Sequence, residues 1–138
     1  MGEVIHTLPD RLTVTWEAEA LAIVDTWTSY QVGVDEFRVA VLEKGLGWAR
    51  KHGGRAWVVD SSSARGAFSQ AVQELIGSEI FPAFAANGIT HFITIKSTSA
   101  VTNLSIASYT SKLGPNGIQL VELPSVALAL EWLKAQPK

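Results

Sequence analysis

Chemistry in this chain would have to come from hydroxyls, scattered carboxylates and three histidines. Asp60 is followed by Ser61, Ser62 and Ser63, and Lys96 by Ser97, Thr98 and Ser99. Both runs follow β-rich segments and precede helical ones. Free N–H groups at a helix start favour anions, and Lys96 adds a point charge. These residues then flank a shallow rim for a phosphate, a carboxylate or a polar headgroup. The same residues serve equally as helix caps, with Asp60 hydrogen-bonding into its own turn. The spacing matches no glycine-rich phosphate loop.

The remaining candidates point away from catalysis. His6, His52 and His91 are scattered, and none has a carboxylate or second histidine at metal-ligand spacing. Serines are abundant, yet no nucleophile-elbow motif is present. Asp25 and Asp60 serve as an acid–base pair only if the fold buries them together. The five tryptophans are read as core residues: Trp16 and Trp27 in the opening strands, Trp48 and Trp132 on helix faces, Trp57 in a strand. No catalytic residue, metal site or cofactor is assigned.

The bulk composition narrows the partners. With 138 residues, the chain suits a single domain, residues 1–138, with a substantial core. A formal net charge of −2 supplies no global field for nucleic acid or anionic lipid. The cluster Arg50, Lys51 and Arg55 fits a solvated helix end. No cysteine is present, so disulfides and thiolate chemistry are excluded. The opening residues look unlike a signal peptide, and no apolar run approaches bilayer-spanning length, so a soluble, cytoplasmic location is expected.

Hydrophobic periodicity predicts the elements that would position these groups. Residues 3–7 read as a short strand closed by Pro9-Asp10. Residues 12–17 and 21–28 read as strands that pair as a hairpin. Residues 35–52 have helical spacing, with acidic residues at the start, basic residues at the end and Gly53-Gly54 as the C-cap. The apolar arc of this helix, with Val39, Leu42 and Leu46 added, is wider than one sheet-facing stripe requires. Strands at 55–60, 89–96 and 118–123 then alternate with helices at 67–87, 99–113 and from Ser125 to about 136. Such alternation implies parallel pairing with right-handed crossovers. Pro82 is expected to kink or split its helix near Gly77-Ser78. The expected fold class is α/β, a mixed sheet of five to six strands with about four helices.

The order of these segments, Trp57–Asp60, Phe81-Pro82 with Asn87-Gly88-Ile89, and the closing Ala129-Leu130-Glu131-Trp132-Leu133 together resemble the SpoIIAA-like (STAS/SEC14-type) bacterial domain family across nearly the whole chain. The resemblance implies a small α/β domain that is a binding or regulatory module. Relatives of this type act as phosphorylatable antagonists of anti-sigma factors or, more distantly, as lipid-binding domains. By analogy, Ser63 and Ser69 are the positions for a phosphorylatable serine at a helix start. The Asp-Ser pair with a following glycine that typifies those antagonists is missing here.

Charge is scarce in the middle of the chain. The segment 99–113 presents Thr102, Asn103, Ser105, Ile106 and Tyr109 with no charge before Lys112, where an ordinary solvated helix would carry Lys and Glu. That surface suits a homodimer interface or one wall of a ligand cleft, and equally a helix tucked under neighbouring elements. The sequence therefore favours a non-catalytic, homodimerising binding module. The alternative is a protein for a small apolar or amphipathic, lipid-like ligand, and an enzyme of unrecognised type ranks third.

Overall fold

A computed structural model describes residues 2–62, 64, 66, 68–95, 111–113 and 117–135. Strands β1 (Glu3–Leu8), β2 (Leu12–Glu17) and β3 (Ala22–Trp27) form an antiparallel meander. Strands β4 (Ala56–Asp60), β5 (His91–Ile95) and β7 (Gln119–Leu123) then extend it in parallel from β3. The three-residue β6 (Ser111–Leu113) closes the far edge antiparallel to β7, giving the order β1-β2-β3-β4-β5-β7-β6. The α/β class, the mixed sheet and the amino-terminal hairpin are as the sequence predicts.

Three helices appear among the described residues. Helix α1 spans residues 34–52 and α2 residues 70–86. Both are continuous but carry a π-helical centre, Val39–Leu46 in α1 and Ile76–Ile80 in α2. Helix α3 (Val126–Lys134) starts at Ser125, whose side chain accepts from the Leu128 N–H at 3.1 Å.

Alternation along the strands sorts the core into two layers. Ile23, Trp27 and Trp57 pack with Phe37 and Val41 of α1 and Val72, Ile80 and Phe84 of α2. Their neighbours in sequence, Ala22, Val24, Ala56 and Val58, point the other way and pack with Ala129 and Leu133 of α3. The wide apolar arc of α1 has its explanation here. A π segment shifts the helical period, and Ala40, Val41, Gly45 and Leu46 are all buried within the chain.

Two expectations change. Residues 111–113, placed at the end of a helix over 99–113, are instead strand β6, with Ser111 opposite Val121 and Leu113 opposite Gln119. Antiparallel pairing with β7 fixes these three residues as extended chain, a long-range choice that local helical spacing does not show. Most of the expected helix, including Thr102, Asn103, Ser105, Ile106 and Tyr109, lies outside the described residues. Pro82 does not break α2. The π turn before it already carries the backbone out of α register, with the Phe81 N–H reaching back to Ile76 O, and Pro82 falls in the first turn of the α segment that follows. Proline is tolerated in such a first turn, where its missing N–H costs nothing.

Helix α1 approaches the sheet closely at Gly45. A Cβ added there would lie 2.7 Å from Cη2 of Trp57, which is itself 1% exposed and cannot retreat. Gly47, two residues on, has open space around it. Gly45→Ala is therefore expected to lower stability by about 1–2 kcal/mol, overpacking outweighing the helix propensity gained. Gly47→Ala is expected to raise it by about 0.5–1 kcal/mol. Urea denaturation of the two variants checks both signs.

Candidate functional site

Between the sheet and the two helices α1 and α2 lies a cavity of about 60 Å³. Its floor is Asp25 and Trp27 of β3, Trp57 and Val59 of β4, and Phe92 of β5. Its roof is Phe37 and Val41 of α1 and Ile76, Ile80 and Phe84 of α2, with Phe68 closing one side. The π-helical centres of both helices supply roof residues, Val41 from one and Ile76 and Ile80 from the other. π segments recur at functional sites because they reposition side chains that a regular helix would stagger. On the solvent side, Arg38 of α1 makes a two-point ion pair with Glu79 of α2, Nε to Oε1 at 3.2 Å and Nη2 to Oε2 at 3.0 Å, pinning the two helices together over the cavity.

The lining is built to be rigid. Trp27 stacks on Phe37 with centroids 5.8 Å apart, and Phe68 meets both rings edge-on at 5.1 and 5.4 Å. On the other side Trp57 stacks on Phe84 at 4.3 Å. Such aromatic pairs hold geometry beyond what area burial supplies. Val59, Phe68, Ile76 and Phe92 are only half-buried and form the more open end of the cavity.

Asp25 is the one charged residue among the lining residues. Alternation on β3 places it on the same face as Ile23 and Trp27, in register with Val14 of β2 and Val59 of β4. It is 2% exposed. Its Oδ2 accepts a hydrogen bond from the Trp57 indole Nε1 at 2.8 Å, while Oδ1 has no partner. Burial disfavours the ionised form and pushes the Asp25 carboxyl up to about 7, against a smaller opposing effect of the indole hydrogen bond. An isolated buried carboxylate is costly, and protonation is how such a group ordinarily escapes the cost.

The hydroxyl-rich rim is put to structural use where it is described. Asp60 Oδ1 accepts from the Ser62 N–H at 3.0 Å and from Ser62 Oγ at 2.6 Å, so it ends β4 in an Asx-type turn. Ser61 Oγ accepts from the Tyr30 hydroxyl, and burial raises the Tyr30 phenol above its ordinary value. Asp60 pairs with Thr26, and alternation puts it on the face opposite Asp25, so the two carboxylates are not brought together. Ser69 is the N-cap of α2, accepting from the Val72 N–H at 3.2 Å. Ser63, Lys96, Ser97, Thr98 and Ser99 lie outside the described residues.

The histidines stay apart. His6 is on β1, His52 stacks on Trp48 at 4.4 Å, and His91 opens β5 with its Nδ1 2.8 Å from Thr90 Oγ1. Burial, then nearby Arg55, lowers His91 below its ordinary value. Among the described residues, no three histidine or carboxylate side chains converge as metal ligands. Nor is any helix among them long and apolar enough to cross a membrane.

Sequence reasoning missed the cavity and considered Asp25 only as a partner for Asp60. The signal was present in Ala22–Trp27, where a carboxylate interrupts an otherwise β-forming run at an inward position between Ile23 and Trp27. No family model, curated protein or solved structure matches this chain.

The buried carboxyl makes stability depend on pH. Its folded value is raised above its unfolded one, so between about pH 4 and 7 the folded state holds the extra proton and stability falls as pH rises. The span corresponds to a loss on the order of 4 kcal/mol, levelling off above pH 7. Asp25→Asn keeps an oxygen for the Trp57 indole and removes the titration. Melting temperatures from pH 4 to 8 should therefore fall in the parent relative to Asp25→Asn, and the difference between the two curves isolates Asp25 from His91.

Proposed function

We propose that this chain is a non-catalytic binding module of SpoIIAA-like type, holding a small amphipathic ligand between its sheet and the two helices α1 and α2. The observation that carries this reading is a single one: an apolar cavity of about 60 Å³ with one buried carboxyl oxygen lacking a partner. Ligand sites characteristically combine an apolar, pre-formed concavity with a few placed polar groups. The volume accepts about two water equivalents or a few heavy atoms. A longer ligand would seat one end and emerge past Val59, Phe68 and Phe92. The meander leading into the parallel ladder β3-β4-β5-β7 supports the SpoIIAA-like assignment.

A second reading, a regulatory homodimer, rests on the uncharged sequence of residues 99–111. Among the described residues, Val4 and Leu128 are the exposed large hydrophobics. Light scattering at tens of micromolar, an order-of-magnitude concentration for ordinary association, tests it, and a monomer rejects it.

The ligand reading is tested by NMR titration with 1-butanol, butylamine and butyrate. At least one should give saturable shifts at the indole N–H groups of Trp27 and Trp57, with a dissociation constant on the order of 1–10 mM for so few atoms. Val41→Phe projects a ring into the cavity from α1 and should abolish the saturation. The absence of saturable binding by any of the three rejects the proposal.

A further inference from the structure

The polar end of the ligand has a chemistry that the cavity specifies. We propose that the site takes the ammonium end of a small organic amine, with its cationic nitrogen hydrogen-bonded to Asp25 Oδ1 and its carbon chain against Trp27, Phe37 and Val41. This inference rests on the ligand-binding reading of the same cavity and names the class of ligand.

Three observations converge on a cation. First, Asp25 is 2% exposed and has a hydrogen-bond donor on Oδ2 but nothing on Oδ1, and no cationic side chain lines the cavity. A buried carboxylate needs both a counter-charge and hydrogen bonds to offset its desolvation. The indole supplies one neutral hydrogen bond, and the counter-charge is what the protein leaves out. Second, the walls are unusually aromatic, with Trp27, Phe37, Trp57, Phe68, Phe84 and Phe92 all contributing. Aromatic walls are compatible with a cation, which the ring faces attract through their quadrupole. Third, the enclosed space of about 60 Å³ takes an ammonium and one or two methylenes beside Asp25, with the rest of the chain emerging at the open end.

Asp25 is the one ionisable group among the residues that line the cavity. From β2 it meets Val14, and from β4 Val59 and Trp57. The roof of the cavity offers Phe37 and Val41 from α1 and Ile76, Ile80 and Phe84 from α2, none of them ionisable. Beyond these, His6 of β1 sits in register with Val14, one strand further out. Glu122 of β7 lies in the same sheet row, three strands away from β3. Tyr30 is engaged with Ser61 at the rim, and Arg38 and Glu79 neutralise each other on the outside.

The proton balance follows directly. Below neutral pH the protonated carboxyl must give up its proton for the ammonium to bind as an ion pair, so one proton is released per amine bound. Amine affinity should then weaken about tenfold per pH unit below the Asp25 titration, and be flat from about pH 7.5 to 9, while the amine itself stays protonated. A neutral alcohol carries no such requirement.

The test compares butylamine with 1-butanol by NMR at pH 5 to 9, following the Trp57 indole N–H, together with calorimetry in two buffers of different ionisation enthalpy. At pH 8 butylamine should bind at least about tenfold tighter than 1-butanol, the gain expected of a desolvated ion pair over a neutral hydrogen bond. Its advantage should shrink as pH falls, with uptake of the released proton by buffer at pH 6. Asp25→Asn should bind both ligands equally and without pH dependence. Equal affinities in the parent at every pH overturn the amine assignment while leaving the ligand site standing. Failure of both ligands and of butyrate to saturate overturns the site itself. The parent comparison is decisive even if Asp25→Asn folds poorly.

Discussion

The hydrogen bond from the Trp57 indole to the buried carboxyl of Asp25 joins the central strand β4 to its neighbour β3 on the face that carries both long helices. Trp57 is the anchor of that face. It stacks on Phe84 of α2 and fills the space left by Gly45 of α1, so both helices are registered against one ring. The carboxyl makes the arrangement directional, because an indole has a single donor and must present its edge to Asp25. A purely apolar contact at this position would allow the ring to turn. The cost is a polar group placed in the driest part of the molecule with half its hydrogen-bonding capacity unused.

The helices above this pair are shaped to leave room around it. Each runs continuously from cap to cap, yet each widens to π geometry in a segment that supplies cavity-lining residues, Val41 in α1 and Ile76 and Ile80 in α2. A regular helix would bring successive side chains back over the sheet at a fixed period, and the extra residue per turn moves them aside. Both departures from α geometry thus contribute to the roof of the same cavity. The Arg38–Glu79 ion pair holds the helices in that spacing from outside, where solvent leaves such a pair only a modest contribution of its own. The opposite face shows no comparable departure. There α3 lays Ala129 and Leu133 onto small and β-branched residues of β3, β4, β5 and β7.

The hydroxyl-rich strand ends illustrate how one residue type can carry two readings until the partners are known. Ser69 and Ser125 satisfy free N–H groups at the starts of α2 and α3, and Asp60 satisfies the turn after β4. Each of these side chains finds its hydrogen-bond partner within three residues of itself. Asp25 differs because its unused oxygen is buried, where water cannot replace a missing partner. Burial turns an incomplete hydrogen-bond set from an ordinary surface condition into a demand for a ligand or a proton.

Local periodicity and capping chemistry alone determined much of the architecture. The alternation in residues 12–17, the acid-to-base polarity of residues 35–52, Gly53-Gly54 as a C-cap and Ser125 as an N-cap are all properties of short segments, and each is realised. The order of strands and helices then required parallel crossovers. Three features became visible only in the folded chain. Residues 111–113 became a strand because Gln119–Val121 was available to pair with them. Pro82 sits inside a continuous helix because a π turn precedes it. The cavity exists because residues from β3, β4, β5, α1 and α2 meet around Asp25, a residue whose sequence shows only an acid in a strand. Its burial, its single indole partner and its raised proton affinity are properties of that enclosure, and desolvation by distant side chains is not encoded in any local pattern.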